Sequence, residues 1–289
     1  MAISLAFIRI IIVTMMDYIP MLINQNLSAL RHRLTYKLLP STLNVLVIGG
    51  SYTGIHLAKR LAESLPTGYK VVLVERKSHF NHLFNFPRYS VVKGREERAF
   101  IPYDGVGKSM AIPQGILEHV TGTVTKIKDT EVELANGDTI PFSYLAICTG
   151  ATLPPPATLT SLGKKESCAE LQNMQNEVEG AKKIAIVGGG AVGVQIAGDI
   201  KSFYPQKDVT LVHSRPRLLN AFGETLGEFV VGKLEAMGVR VVLGERPQWL
   251  KGGKELTFKD GQTESFDLVV RPPPPSLFSP KNVCISSNF

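Results

Sequence analysis

Two short glycine-rich runs are the places where this chain could bind a ligand with its backbone rather than its side chains. They are Gly49-Gly50-Ser51-Tyr52-Thr53-Gly54 and Gly188-Gly189-Gly190-Ala191-Val192-Gly193. Each follows a short apolar, β-branched run, Asn44 to Ile48 and Lys183 to Val187. Each opens onto helical spacing, with Ile55, Leu57, Ala58, Leu61, Ala62 and Leu65 after the first and Ile196, Ala197 and Ile200 after the second. A strand that turns sharply into a helix aims the unsatisfied N–H groups of the first helical turn, and the positive end of the helix dipole, at whatever lies beyond. That is an anion site. In G-x-G-x-x-G the first glycine allows the tight turn, the second lets a pyrophosphate approach the backbone, and the third packs the helix on the strand. The second run has all three glycines, whereas the first keeps Gly49 and Gly54 and carries the small Ser51 between them.

The strands that follow end in unlike residues. Lys70 to Val74 leads to Glu75, twenty-one residues past Gly54, where a carboxylate would accept both ribose hydroxyls of an adenosine. In the second unit Val209 to Val212 ends in His213, followed by Ser214, Arg215 and Arg217. A carboxylate there favours the free hydroxyl of NAD, while a hydroxyl and cations suit the added phosphate of NADP. The pattern predicts tolerance of, or preference for, NADPH, against the plainer reading of Arg215 and Arg217 as solvated loop charges. The segment from Arg76 to Arg88 mixes aromatic and polar groups without helical or strand period. It suits either an extended aromatic ligand or a loop over a sheet edge, and His79 and His82 fit the loop better. Thr149-Gly150 ends a buried-type strand, Tyr144 to Cys148, that follows a hairpin turning at Asn136-Gly137.

Two strand-turn-helix units need a folded chain around them. With 44% hydrophobic and 20% charged residues the composition is globular. The net charge of +7 is concentrated early, because Arg9, Arg31, Arg33 and Lys37 against Asp17 supply +3 of it before residue 44. No basic cluster with interleaved aromatics follows, so nucleic acid is not an expected partner. Cys148, Cys168 and Cys284 form no C-x-x-C pair; they predict neither a metal site nor an internal dithiol relay.

Arg9, Asp17 and Pro20 interrupt the apolar stretch from Met1 to Ile23, making it a poor membrane span. Its composition suits an organelle leader or an interfacial helix, or else an upstream start, with Met15, Met16 or Met21 as the initiator. The expected organisation is an N-terminal extension over 1–43 for targeting or membrane contact, a first nucleotide domain over 44–153, a linker over 154–163 opened by three prolines, a second nucleotide domain over 164–270, and a proline-rich irregular tail over 271–289.

Taken together, V-I-G-G-S-Y-T-G, the F-P-R segment around Arg88, L-A-I-C-T-G-A at 145–151 and I-V-G-G-G-A-V-G-V-Q-I-A-G-D at 186–199 resemble the fungal apoptosis-inducing-factor-like family, related to ferroptosis suppressor and type II NADH dehydrogenases. The likeness runs over about residues 44 to 270. It implies an α/β fold of two tandem Rossmann-like dinucleotide-binding domains, the FAD/NAD(P)-binding fold, with its C-terminal part missing. It also implies FAD on the first unit, NADPH or NADH on the second, and hydride passed to flavin and on to a quinone or similar acceptor.

On that likeness Gly49, Gly50, Ser51, Tyr52, Thr53, Gly54, Glu75, Arg76, Lys77, Arg88, Val124, Thr149 and Gly150 are flavin contacts. Gly188, Gly189, Gly190, Ala191, Val192, Gly193, His213, Ser214 and Arg215 are nicotinamide-cofactor contacts. Lys77 is the one side chain with a candidate catalytic role, steadying flavin charge through a hydrogen bond; otherwise the cofactor does the chemistry. Gln195 departs from the Glu often found there in relatives. A mitochondrial or membrane-associated location is expected, otherwise a cytoplasmic one. Phe266 to Val270 reads as the strand leading back to the flavin domain, but Pro272 to Pro275 cannot donate strand hydrogen bonds. A truncated product that only binds nucleotide is therefore the alternative to an active enzyme.

Overall fold

A computed structural model describes residues 5–108, 112–151, 153–249, 253–271 and 284–285. The chain divides into two compact units, one of Met1–Lys77, Pro102–Gly150 and Pro280–Phe289, the other of Ser78–Ile101 and Ala151–Ser279.

In the first unit a long helix α1 (Leu5–Thr35) precedes β1 (Leu43–Ile48), α2 (Tyr52–Ala62), β2 (Tyr69–Glu75) and β3 (Leu117–Thr121). A meander of β4 (Val124–Ile127), β5 (Glu131–Leu134) and β6 (Thr139–Pro141) then leads to β7 (Tyr144–Ile147). The main sheet has the order β3-β2-β1-β7, and all its pairs are parallel. Leu46 and Val47 are fully buried, as are Val71 and Leu73. This explains why these strands read as unbroken apolar runs, since a parallel sheet is covered on both faces.

The second unit repeats the plan. After α3 (Lys164–Gly180) come β8 (Lys183–Val187), α4 (Ala191–Phe203), β9 (Asp208–His213), α5 (Glu224–Ala236) and β10 (Val239–Leu243). A meander of β11 (Gln248–Trp249), β12 (Glu255–Thr257) and β13 (Thr263–Ser265) returns the chain to β14 (Leu268–Val270). The sheet order is β10-β9-β8-β14, again all parallel. In both units the first strand is central, the glycine turn leaves its C-terminal end, and a three-stranded meander makes the last crossover. The C-terminal edge of such a sheet is where ligands bind.

Several expectations change. The segment 78–101, expected within a continuous first domain, packs in the second unit, where Phe86 is fully buried with Phe100, Leu159 and Leu171. The stretch read as a linker is tied down as well. Leu159 is buried, and the Glu170 carboxylate accepts hydrogen bonds from the Thr160 and Ser161 N–H groups and the Thr160 hydroxyl.

The strand Tyr144–Ile147 is not buried, with Tyr144 61% and Ile147 46% exposed, because it is the terminal strand of its sheet. The strand Leu268–Val270 belongs to the second unit's sheet, paired with β8. In the tail, expected to be irregular, Cys284–Ile285 pairs in parallel with Lys126–Ile127. Pro272 to Pro275 lie outside the described residues.

The helix α1 is partly a structural element of its unit. Leu22, Gln25, Ala29, His32 and Tyr36, spaced three and four residues apart, form its covered stripe. The His32 Nε2 lies 2.5 Å from the Leu65 carbonyl, and the Tyr36 hydroxyl donates to the Tyr69 carbonyl at 2.8 Å. Before that stripe several large apolar side chains are exposed, including Ile12 and Met16 at 53% and 69%. Among the described residues no helix is long and apolar enough to cross a membrane.

Candidate functional site

At the first turn Gly49 adopts φ +102°, and a Cβ built on it would lie 2.4 Å from the Cys148 carbonyl oxygen. Gly54 is buried, with space for a side chain occupied by the Gly49 carbonyl at 1.7 Å. Glycine is therefore required at both ends by the protein itself. Between them Tyr52 and Thr53 are exposed and Ser51 is half-buried. Ser51 is the N-cap of α2, yet its side chain makes no capping bond, and no acidic residue sits in the first turn. The helix start offers its N–H groups outward without a carboxylate to compete.

The second turn is alike. Gly190 caps α4 without a side-chain bond, and no acid lies in the first turn. A Cβ on Gly190 would meet nothing within 4 Å. The middle glycine of this fingerprint thus keeps clear a space that no atom of the described residues claims, which is what backbone approach by a pyrophosphate requires. Ala191 is exposed, Val192 half-buried and Gly193 buried.

The strand-end residues do the same local job in both units. The Gly50 N–H donates to Glu75 Oε2 at 2.5 Å, and the Lys77 N–H donates to Oε1 at 2.8 Å. A carboxylate has about four acceptor positions, so each oxygen retains one for a ribose hydroxyl. In the second unit the Gly189 N–H donates to His213 Nδ1 at 3.1 Å. The ring proton must then sit on Nε2, which is buried. Burial pushes the His213 pKa down and Arg215 adds to this, while the Asn220 side chain opposes it. At neutral pH the His213 ring carries no charge. Ser214 and Arg215 are exposed, and Arg217 is 3.7 Å from Glu224.

Other expected residues are placed as follows. Arg76 is exposed, Lys77 half-buried, and Val124 buried in the core under the meander. Thr149 and Gly150 are exposed at the C-terminal end of β7, with Gly150 at φ +64°. Arg88 lies in the second unit, 3.5 Å from Asp199 Oδ1 and over the Phe203 ring at 5.8 Å. Asp199 is only 8% exposed. Burial raises its pKa, while Arg88 and the Gln195 amide draw it back. Gln195, one turn before Asp199, therefore has a role within α4.

Two residues escape sequence reading. The Tyr103 hydroxyl donates to the Gly50 carbonyl at 2.7 Å, and its ring stacks on His119 at 4.3 Å. In the second unit Leu219, at φ +50°, donates its N–H to the Gly189 carbonyl at 2.9 Å. A bulky residue in the left-handed region is uncommon and strained. Neither position has a motif around it; a Tyr after Ile101-Pro102 and a Leu-Leu pair look ordinary.

The two turns and their strand ends define a protein with two dinucleotide-binding units. Residues 43–271 match the pyridine nucleotide-disulphide oxidoreductase family model, and the chain belongs to that family, whose members work with FAD and NAD(P)H. The chain is 34% identical over 226 residues to Fe-regulated protein 8 of Mycosarcoma maydis, covering 70% of this chain and 56% of that protein. It is 32% identical over 211 residues to ferroptosis suppressor protein 1 of Homo sapiens, covering 71% and 53%. It thus spans about half the length of these relatives. In three dimensions it resembles the water-forming NADH oxidase from Lactobacillus brevis bound to NADH, with a TM-score of 0.58, 17% identity, and coverage of 79% of this chain and 53% of that one.

Proposed function

We infer that the first unit holds FAD, the second holds NAD(P)H, and the chain serves an oxidoreductase that passes reducing equivalents to a quinone or similar acceptor. One observation carries this reading: two uncapped helix starts, each behind a glycine turn whose second residue is bonded to an acceptor at the end of the next strand. Ser51, Tyr52 and Thr53 would bind the flavin pyrophosphate through their N–H groups, and Glu75 its ribose. Gly190, Ala191 and Val192 would do so for NAD(P)H, with the uncharged His213 ring, Ser214 and Arg215 beside its ribose. Arg76, Lys77, Val124, Thr149 and Gly150 complete the proposed flavin contacts. The chemistry that bound flavin would supply is a two-electron relay: a hydride from NAD(P)H, which leaves as NAD(P)+, together with one proton taken from solvent, would convert quinone to quinol. The protein's work is to bind and orient.

Within this reading NADPH is the favoured donor, because Arg215 is an exposed cation beside a neutral His213. The exposed apolar side chains of α1 from Ile11 to Met21 favour contact with a membrane surface, mitochondrial or other, where quinones dissolve. Purified protein is expected to be yellow, or to become so with FAD, and to bleach on anaerobic NADPH. Protein that stays colourless and cannot be reconstituted with FAD overturns the reading.

A further inference from the structure

The glycine at the second position of each turn is gripped from both sides. In the first unit the Gly50 N–H is held by Glu75 and the Gly50 carbonyl by the Tyr103 hydroxyl. In the second unit the Gly189 N–H is held by His213 and the Gly189 carbonyl by the Leu219 N–H. The correspondence extends to the packing. A Cβ on Gly50 would meet Tyr103 Oη at 2.9 Å and Glu75 Cβ at 2.8 Å; one on Gly189 would meet Leu218 at 2.3 Å and His213 at 2.7 Å. The same grip is thus built twice from unlike groups.

Its consequence follows from peptide planarity. In a trans peptide the carbonyl and the next N–H point in opposite directions. Holding the Gly50 carbonyl fixes the direction of the Ser51 N–H, and holding that of Gly189 fixes the Gly190 N–H. These are the amides at the middle position of each fingerprint, where the backbone meets the pyrophosphate. In the second unit the grip is a backbone N–H that no ordinary side-chain change removes. In the first it is one phenol, contributed from a separate segment fifty-three residues along the chain.

We propose that Tyr103 is a positioning residue for the flavin of the first unit, setting the glycine turn through the Gly50 carbonyl and thereby controlling flavin affinity without touching the second nucleotide. Tyr103 is 6% exposed, and its burial together with the negative charge of Glu75 keeps the phenol protonated across the working pH range. It is always a donor. The stacked His119 holds the ring from behind, supporting the hydroxyl's aim. The inference rests on the first unit binding FAD.

The test is Tyr103→Phe in the full chain, which removes one oxygen and keeps the stack. Three quantities are measured: the FAD dissociation constant of stripped protein, the NADPH dissociation constant, and the melting temperature without nucleotide. FAD affinity is expected to weaken about ten-fold, the value of one hydrogen bond of about 1.4 kcal/mol. NADPH affinity should hold, and the nucleotide-free melting temperature should fall by only a few degrees. Tyr103→Leu, which places there the side chain type that the second unit carries at Leu218, should weaken FAD at least as much. Unchanged FAD affinity in either folded variant overturns the proposal, and so does a parallel loss of NADPH affinity. If the wild-type chain itself takes up no FAD, the proposed function falls and this inference falls with it.

Discussion

Glu75 and His213 end equivalent strands and accept a hydrogen bond from equivalent glycine N–H groups, at 2.5 and 3.1 Å. The geometry is shared and the charge is not. Glu75 would repel a ribose phosphate, whereas His213 repels nothing. His213 adds no attraction at neutral pH, because its pKa lies below the usual imidazole value of 6.5 through burial first and Arg215 second. The charge available to a phosphate there is therefore that of Arg215. Replacing Arg215 with Ala is expected to lower the NADPH to NADH ratio of kcat/KM about ten-fold, the worth of one charge-assisted bond. The ratio in the variant should recover only as the pH falls below that of an ordinary imidazole, when His213 gains its proton. Steady-state kinetics with both cofactors over a pH series checks this, and a ratio indifferent to the substitution would reduce Arg215 to a solvated charge.

At the scale of elements, the segment between Leu153 and the start of α3 is held by Glu170. Its carboxylate takes two backbone N–H groups and one hydroxyl from Thr160 and Ser161. Burial alone would raise its pKa, but these hydrogen bonds outweigh it and bring the pKa below the ordinary 4.5. A carboxyl whose folded pKa is depressed contributes stability above its unfolded value and loses it as the pH falls through the folded one. Glu170→Gln should therefore cost about 1 kcal/mol or less at neutral pH, given its partial exposure. The gap from wild type should close as the pH drops below about 4. Denaturant titrations at both pH values check the prediction; a gap that persists in acid would mean that shape, not charge, matters at this position.

The glycine turns, their flanking strands and helices, and the residues Glu75 and His213 are legible in the sequence because each requirement is local: a tight turn, a strand before, a helix after. Tyr103 and Leu219 are not legible, since what they hold lies fifty-three and thirty residues away and no spacing rule connects them. The pairing of Arg88 with Asp199 shows the same limit, since no spacing rule connects those two positions.

For the whole molecule, the first sixty residues contain two different things. The stripe from Leu22 to Tyr36 is covered by its unit, while Ile11 to Met21, about 16 Å of helix, exposes apolar side chains. That length matches about half of a bilayer's hydrocarbon thickness. The chain is expected to sediment with phosphatidylcholine vesicles doped with phosphatidylserine, and the double change Ile12→Glu and Ile19→Glu to reduce this at least a hundred-fold, since each charge costs about 2 kcal/mol or more in that setting. A wild-type chain that ignores such vesicles would remove the membrane reading and leave the oxidoreductase one standing.

The interleaving of the two units also bears on how the chain is made. Phe86 waits for Leu171, eighty-five residues behind it in synthesis. At about 5–20 residues per second a ribosome needs roughly 4–17 s to deliver that partner. Through that interval the nascent polypeptide displays Phe86 and Phe100 with their final neighbour unmade, an opening for chaperones to bind and for aggregation to begin.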